Sequence, residues 1–587
     1  MRILNKYHLA LIIFALGFIG CSSLLDPEND NHNTFARVAY DPGFAEGLMM
    51  NAYSKMPTGG FSFNEVATDD AVSNDKFSGY LRMATGQWSA QYNPISNWDN
   101  TNKAILYLNL FIPQIETMTW SWTNENLNKM FKSRNTGEAY ALRGLFRSFL
   151  LQNIAGKSAS GKLLGIQLYD EFLKEDGNFN LARAGFTESV AAINADFDKA
   201  IQYLPMDFLD ITVAAQLPPA FSTVSILDYN AVFGKVNTQR ITKRIVMGLK
   251  ARVALLAASP AFANNDQTLW INAANTAADA LTGINGISGL DASGHIFFQA
   301  AKVDAVSVTA DQKEMLWRGP SNGLSNSLEK NMLPPGLNGN GQVNPSQNLV
   351  DAFPMKNGYP ISDPLSGYNV ANPYANRDPR LALYVVYNGA ALQGKAIKTA
   401  VGGGVNAKDS LVTSTRTGYY LRKLIREDII FSNDGSAATK KHYPVHMRYT
   451  ELFLDYAESA NEAWGPTGVG TIATYSAKDV VAAIRKRAGI TQPDAYLNTI
   501  TTKEAMRDLI RNERRIELCF EGFRFWDMRR WGLTLTNTIK GVNIDKNATV
   551  YQYVDVELRP YQSYMQYAPI PQQEVLKFSA LEQNAGW

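Results

Sequence analysis

The chain has 587 residues, of which 45% are hydrophobic and 19% charged, a composition typical of a large globular protein. Its 56 basic and 54 acidic side chains nearly cancel, and removing the first 20 residues leaves the two signs equal. A neutral protein lacks the overall field that attracts nucleic acid or anionic lipid, so we expect no nucleic-acid partner.

The N-terminus predicts a signal peptide over residues 1–20. Basic residues precede an apolar run at residues 9–19, which is too short to cross a membrane as a helix. Gly20 and Cys21 end this run and resemble a bacterial lipobox, although an ordinary signal peptide with an incidental cysteine would also fit. We predict a lipid on Cys21 and a polar tether within residues 21–40.

Cysteine and histidine are too few to build a metal site. The chain has two cysteines and five histidines, and the histidines show no metal-ligand spacing. If Cys21 is lipidated, Cys519 has no disulfide partner, and we interpret it as a small core residue. No metal and no cofactor are expected.

Residues 41–283 are predicted to be a series of helices. Apolar residues recur at steps of three and four, and alanine is frequent. The predicted helices cover residues 42–56, 88–113 with Pro94 bending or delaying the start, 124–154, 187–204 with Thr187 as a cap, 242–263 and 270–281. Paired helices with close-packing alanines are typical of tetratricopeptide-like repeats.

Residues 284–445 predict a long irregular insertion with a few short strands. Glycine, asparagine, proline and serine increase there and helical periodicity disappears. YVVYNG is a strand candidate that ends in an Asn-Gly turn. Within NPYANRDPRL, we expect the charges of Arg377, Asp378 and Arg380 to tie the insertion to the helices.

Helices return in residues 446–587. RYTELFLDYAESANEAWG predicts a helix from Arg448 that carries Glu451, Glu458 and Glu462 at helical steps. Such a row could form a catalytic or metal site. We favour ion pairs with arginines further along the chain. Residues 480–490 predict another helix.

Residues 501–532, which we call the charged segment, combine an apolar face with many arginines. The pattern predicts one helix from a threonine cap to a stop at Gly522, followed by a second short segment. The arginines could bind phosphate, but interleaved acids favour pairing with Glu513, Glu517, Glu521 and Asp527 at helical spacing. Phe520 and Trp526 are expected to be buried.

RNERRIELCFEGFRFWDMRRWG, within the charged segment, closely resembles the C-terminal motif of the SusD/RagB family. GEAYALRGLFRSFLLQNIAG, the Arg-Asp-Pro-Arg turn, the helix at Arg448, residues 480–490 and the tail APIPQQEVLKFSALEQNAGW resemble further family patterns, in the family's order. The resemblance implies a mainly α fold on a tetratricopeptide-like scaffold. It also implies a surface-exposed, lipid-anchored outer-membrane protein of Bacteroidota.

The resemblance further implies that the chain captures oligo- or polysaccharide for a SusC-like TonB-dependent transporter. An enzyme is not expected, since no G-x-S-x-G, H-E-x-x-H or Walker sequence is present. Two alternatives remain: a peptide-binding protein of the same architecture, or a helical-repeat scaffold protein.

Sugar binding needs exposed aromatic rings flanked by polar groups, because a sugar offers flat apolar faces and many hydroxyls, and Trp98 and Trp317 are the leading candidates for such rings. Residues 69–102 and the insertion provide such neighbourhoods, and the resemblance favours loops of this kind. The candidate ligand-binding residues are Asp69, Asp70, Tyr80, Arg82, Trp98, Asn102, Trp317, Tyr359 and Tyr368. Trp88 lies at helical spacing from Tyr92 and is expected to belong to the core instead.

Overall fold

A computed structural model describes residues 41–56, 62–263, 266–307, 309–319, 323–534 and 538–587. The predicted signal peptide, Cys21 and the tether fall outside these residues. The described structure is rich in helices, with a few short strands and a tetratricopeptide-like arrangement, which confirms the predicted fold class.

The N-terminal half is built mainly from long helices, with α2 and α6 shorter than the others. They are α1 (Pro42–Ser54), α2 (Gly79–Arg82), α3 (Trp98–Thr117), α4 (Glu125–Ile154), α5 (Phe186–Tyr203), α6 (Ile226–Phe233), α7 (Lys243–Ala258) and α8 (Gln267–Thr282).

The helices of the second half are shorter on average. They are α9 (Ala300–Asp304), α10 (Ser327–Met332), α11 (Gln347–Ala352), α12 (Pro379–Tyr384), α13 (Tyr449–Trp464), α14 (Ala477–Ala488), α15 (Ala495–Thr499), α16 (Lys503–Glu517), α17 (Arg524–Arg530) and α18 (Gln572–Lys577).

The strands of the described residues form two-stranded antiparallel sheets. The pairs are β1 (Ala71–Ser73) with β6 (Val343–Pro345), β2 (Gly156–Lys157) with β3 (Leu163–Leu164), β4 (Met315–Arg318) with β12 (Val445–Arg448), β5 (Leu324–Ser325) with β11 (Lys440–Lys441), β7 (Val385–Val386) with β10 (Tyr420–Leu421), β8 (Ala391–Leu392) with β9 (Lys395–Ala396), and β13 (Ile539–Ile544) with β14 (Tyr551–Glu557).

The long helices stack in chain order. Helix α3 packs on α1 and α4, α5 on α4 and α7, and α8 on α7 and α13. One hydrophobic core runs through these helices and continues into α14 and α16. Small alanines on α7, α8 and α13 are buried in it, which lets the helices approach closely. Each helix therefore buries its apolar face against the next, as the alanine-rich sequence predicted.

Some predicted helix ends are wrong. Helix α3 begins at Trp98, after Pro94, as the delayed start allowed, but it continues past the predicted stop at Pro113 to Thr117. A proline near the end of a helix removes only one backbone hydrogen bond there, so the last turn survives. Trp88 is buried outside this helix, which confirms its core assignment. Gly185 rather than Thr187 caps α5.

The insertion has a second core that is tied to the helices by buried ion pairs. Arg380 is fully buried, and its Nη1 donates to Glu513 at 2.6 Å and to Glu517 at 2.8 Å, both on α16. Asp378 caps α12 and also accepts from Arg380. Arg377 donates to backbone carbonyls instead. The predicted tie between insertion and scaffold is confirmed for Arg380, whereas Asp378 bonds to Arg380 within the insertion. Removing one member of such a network leaves a buried charge unpaired, at a cost of roughly 3–5 kcal/mol.

The charged segment connects the two cores. Met506, Leu509 and Ile510 on α16 belong to the helical core, whereas Ile516 and Phe520 belong to the core of the insertion. The first helix ends at Glu517, five residues before the predicted stop. Gly522 adopts φ +84° in the turn that leads to α17. Cys519 is free and buried, as predicted.

The ion pairs of the charged segment mostly join different elements. Glu517 accepts from Arg448 and from Arg487, which lie on β12 and α14. Arg514 pairs with Asp455 on α13. The expectation of pairing at helical spacing holds for Arg530 with Asp527 but is otherwise wrong. The arginines therefore fasten this segment to its surroundings, because burial makes an unpaired charge costly.

The row of glutamates on α13 forms ion pairs, as favoured from the sequence. Glu458 accepts from Arg530 and Glu462 from Arg507, both in the charged segment. Glu451 pairs with Arg252 of α7 instead. Among the described residues, no helix has the length and apolarity to cross a membrane.

Candidate functional site

A cavity of about 480 Å³, the central cavity, lies where the helices, the insertion and the charged segment meet. Helices α4 and α7 form one wall, and β4, β12 and the start of α13 form another. The charged segment closes the cavity from a third side, and residues near Tyr80 complete it. The volume lies within the range of known small-molecule sites.

Aromatic side chains line much of the central cavity. Trp526 on α17 and Phe149 on α4 are half-buried, so part of each ring faces the open space. Trp317 on β4 is only 4% exposed and meets the ring of His446 edge-on, with centroids 4.9 Å apart. Half-buried rings of this kind offer a flat apolar face to a ligand.

A paired arginine and glutamate form part of the polar wall. Both side-chain oxygens of Glu451 accept from Arg252, with Nη2 to Oε2 at 2.6 Å. Nη2 also donates to the backbone carbonyl of His446. Burial, reinforced by the charge of Arg252, lowers the pKa of His446 to about 3, so its imidazole is neutral at physiological pH.

Three buried oxygens in the lining lack a hydrogen-bond partner within the described structure. They are Oδ1 of Asn64, Oδ1 of Asn153 and Oδ2 of Asp455. The amide groups of both asparagines are already used, by the carbonyls of Gly522 and Phe149. A buried acceptor without a donor is costly, and each of these oxygens exposes less than 1 Å² of surface, so they lie behind the cavity wall rather than on it.

Asp455 is the unusual carboxylate of this wall. Its Oδ1 accepts from Arg514 at 2.6 Å, while its Oδ2 has no partner. Burial raises the pKa of Asp455 to about 7; Arg514 opposes this shift and nearby Glu451 adds to it. Asp455 thus titrates near neutral pH beside the cavity.

Two of the candidates from the sequence, Tyr80 and Trp317, line the central cavity. They come from segments far apart in the chain, and the structure brings them to the same cavity. Trp317 had been expected at the surface, and this expectation of exposure is wrong, because β4 pairs with β12 and covers the ring.

Trp98 and Asn102 line a different space, a side groove of about 180 Å³ between α3, the loop near Tyr169 and α18. Trp98 is 8% exposed and belongs to the helical core, so the expectation of an exposed ring is wrong here too. The side-chain amide of Asn102 donates to the carbonyl of Trp98 at 3.0 Å. The position of Trp98 in the first turn of α3 turns its ring inward.

Asp69 and Asp70 form ion pairs with the charged segment and lie outside both spaces. Asp69 accepts two bonds of 2.9 Å from Arg524, and Asp70 accepts from Arg515 at 2.7 Å. Arg515 and Arg524 outweigh burial and hold the pKa of Asp69 below its usual range. Burial raises the pKa of Asp70, and neighbouring Asp69 adds to that shift.

The remaining candidates are dispersed. Arg82 is exposed, lies over Tyr92 at 4.5 Å and donates to Gln87. Tyr359 packs against Tyr496 with centroids 5.3 Å apart. Tyr368 has Arg377 over its ring at 5.6 Å. The structure therefore does not gather the nine candidates into one site.

Sequence reasoning missed several residues of the cavity. Trp526 was expected in the core, and its place in an apolar stretch gave no sign of an open face. Asp455 lies four residues after Glu451, so helical spacing from that glutamate could have identified it. His446, Asn64 and Asn153 carried no signal, because only the fold brings their segments together. Among the described residues, no group of three or more His, Cys, Asp or Glu could hold a metal ion.

Comparisons with known proteins agree on one architecture. The model of the SusD family matches residues 298–587. A SusD-like protein from Bacteroides fragilis, compared by its crystal structure, is 22% identical, with 96% of this chain and 100% of that chain covered and a TM-score of 0.70. A SusD-like carbohydrate-binding protein from the same species is also 22% identical, with 94% and 100% covered and a TM-score of 0.68.

A surface glycan-binding protein A from Bacteroides fluxus is 17% identical, with 93% of this chain and 100% of that chain covered and a TM-score of 0.56. A search of curated proteins found no match. At these identities the solved structures establish a shared fold.

Proposed function

The chain belongs to the SusD family, and from this premise we propose that it binds oligosaccharide in the central cavity without chemically changing it. Structural relatives described as carbohydrate-binding and glycan-binding share its fold. The proposal extends their kind of ligand to this chain.

The observation that carries the proposal is the composition of the cavity wall. Half-buried rings at Trp526 and Phe149 stand beside half-buried polar side chains at Ser148 and Gln152, whose oxygens can accept hydrogen bonds. A sugar presents apolar C–H faces to aromatic rings and donates hydroxyl hydrogens to acceptors. The wall offers both kinds of contact within one space of about 480 Å³.

Binding rather than hydrolysis is supported by how the acids of the wall are engaged. Glycosidases use two carboxyl groups on either side of the scissile bond. Of the acids that line the described part of the cavity, Glu451, Glu521 and Asp527 have both oxygens bonded to arginine. Only Asp455 retains an oxygen without a partner, which leaves no second free carboxylate for acid–base work.

Calorimetry with two tryptophan variants tests the proposal. Trp526→Ala should weaken oligosaccharide binding by about 1–3 kcal/mol, the range for a ring that contacts a ligand directly. Trp122→Ala is the matched control, because Trp122 is 74% exposed and lies outside the cavity lining. The melting temperature of each variant separates lost contacts from lost folding.

Two results would contradict the proposal. One is undiminished binding by a folded Trp526→Ala protein, which would move the site elsewhere. The other is binding of peptides but of no glycan, which would favour the peptide-binding alternative.

We further propose that the protein works at the outer membrane, held by lipid on Cys21, and passes its ligand to a SusC-like TonB-dependent transporter. The support is the lipobox-like sequence and the family resemblance. A shared membrane would keep captured ligand at high local concentration near the transporter. Leu209, Leu227 and Val236 are exposed apolar side chains. The segments that carry them are joined by hydrogen bonds that Asp210 and Asn230 accept, and these side chains offer a surface for a partner.

Membrane fractionation and affinity purification test these points separately. Cys21→Ala should release the protein into the soluble fraction, and continued membrane attachment in a strain without the transporter would argue against a lipid anchor. Purification from native membranes in detergent should recover the transporter. Its repeated absence would support a binding protein that acts alone.

A further inference from the structure

The charges of the central cavity bear on which glycans it accepts. Eight charged side chains line it, four arginines and four acids. Every one of the arginines is paired: Arg252 with Glu451, Arg448 with Glu521, Arg514 with Asp455, and Arg530 with Asp527. The formal charges of the lining therefore cancel once Asp455 is ionised, and within the described residues each arginine of the lining lies beside an acid.

The unpaired groups of the lining point the same way. The buried polar atoms without a partner are all acceptors, on Asn64, Asn153 and Asp455. A carboxylate or sulfate on a ligand is itself an acceptor, so none of these atoms could serve as its donor.

Two stretches next to the lining along the chain lie outside the described residues, and their sequences add no charge to this balance. Residues 57–61 and 320–322 adjoin Met56, Ser62 and Gly319 along the chain, and neither stretch contains a charged amino acid.

From these observations, and resting on the proposed function, we infer that the cavity selects neutral, hydroxyl-rich oligosaccharides and rejects acidic ones. A buried anion must be compensated by a cation, and each guanidinium here is already neutralised by its own acid. If an arginine left its acid to bind a ligand carboxylate, the protein carboxylate would stay buried without a partner, which costs binding free energy. A neutral sugar binds without this cost.

Binding measurements on the full chain test the inference. The probes are neutral oligosaccharides from glucans, xylans and mannans, acidic oligosaccharides from polygalacturonate, alginate and chondroitin sulfate, and cationic chitosan oligosaccharides. We expect neutral probes to bind at least about 10-fold more tightly than either charged class. A 10-fold difference in Kd corresponds to about 1.4 kcal/mol of binding free energy. Affinity for the neutral probe should barely change between about 0.01 M and about 1 M salt, because no charge pair is formed on binding.

A gain-of-binding variant sharpens the test. Glu451→Gln removes the acid that pairs with Arg252, whose side chain is 28% exposed, and leaves a cation facing the cavity. It should strengthen binding of the acidic probes by about 10-fold, through a charge-assisted hydrogen bond. Glu462→Gln is the matched control: it also frees an arginine, Arg507, but outside the lining, and should give no gain. Gln152→Arg adds a cation from half-buried Gln152 on α4 and covers the case in which Glu451→Gln fails to fold.

The outcomes separate the inference from the proposed function. Tightest binding by an acidic or cationic probe, weakened by Trp526→Ala, would overturn the charge selectivity while keeping the cavity as the glycan site. No gain from a folded Glu451→Gln or Gln152→Arg protein would also overturn it. Failure of all glycan classes to bind would instead reject the proposed function itself.

Discussion

The central cavity and the side groove are both lined by aromatic and polar side chains, yet they differ in whether these polar groups already have hydrogen-bond partners in the protein. In the side groove, Asn109 donates to the carbonyl of Tyr169 and accepts from Arg143, and Gln167 donates to the carbonyl of Leu181. The hydroxyl of Tyr169 donates to the carbonyl of Phe179. In the central cavity, three buried acceptors have no partner. Polar residues mark a binding site only where their hydrogen bonds are not already used by the protein.

The first prediction concerns Trp98, the tryptophan of the side groove. Because its ring belongs to the helical core, Trp98→Ala should lower the free energy of unfolding by roughly 3–5 kcal/mol. Glycan affinity of the folded protein should stay unchanged. Chemical denaturation and calorimetry measure the two effects. A variant of normal stability that no longer binds would make the groove the ligand site and reverse the comparison.

The second prediction concerns variants that fill the central cavity or the side groove with a tryptophan ring. Ser148 on α4 is half-buried in the lining of the central cavity, so Ser148→Trp places a large ring in the ligand's volume. Affinity should fall by about 100-fold, or about 2.7 kcal/mol. Lys103→Trp does the same at the exposed edge of the side groove and should leave affinity intact. Equal losses in both variants would show that neither space is specific for the ligand.

The third prediction uses Glu65, a buried acid that resembles Asp455 but lies outside the cavity lining. Its Oε1 accepts from the backbone N–H of Gly522, its Oε2 has no partner, and burial raises its pKa to about 7. The folded state therefore retains a proton that the unfolded state releases above its ordinary pKa. Between about pH 4.5 and pH 7 this group makes the free energy of unfolding fall as pH rises, by up to about 1.4 kcal/mol per unit.

Glu65→Gln should remove that slope. The stability of the variant relative to the native protein should rise over this interval and level off above about pH 7, as followed by denaturation at several pH values. The substitution should leave the glycan affinity of the protein unchanged. Parallel pH profiles for the two proteins would mean that Glu65 is not protonated in the folded state.

The fourth prediction concerns Asp455, an acid of the cavity lining. As pH rises through about 7 the carboxyl loses its proton, and a charged acceptor binds a ligand hydroxyl more strongly than a neutral one. Affinity should therefore increase a few-fold between pH 6 and pH 8, a difference of about 1 kcal/mol or less. Asp455→Asn should abolish this dependence, and Glu65→Gln should retain it. A pH-independent affinity in the native protein would remove Asp455 from the contact set.

Much of the fold follows from the sequence, since helical periodicity and caps are local signals. Helices α4 and α7 begin at the capping residues Asn124 and Thr242, within the predicted ranges. The helix bounds failed where local signals compete, as at Pro113, which α3 passes instead of ending there. The site was harder to predict, because Tyr80, Trp317 and Trp526 are each ordinary in sequence. Nothing local indicates which ring is covered by a neighbouring strand and which faces an open space.

The sequence by itself indicated the family resemblance, the mainly α class and the existence of a charged segment whose acids could neutralise its arginines. It did so because amphipathic periodicity and a dense motif are properties of neighbouring residues. Only the tertiary structure decided which acid meets which arginine, as when Arg380 of the insertion reaches Glu513 and Glu517 of α16. The same long-range packing uses the hydrogen bonds of Asn109 and leaves an oxygen of Asn153 without a partner. Burial and pairing are set by segments that lie far apart in the chain, so no local pattern could specify them.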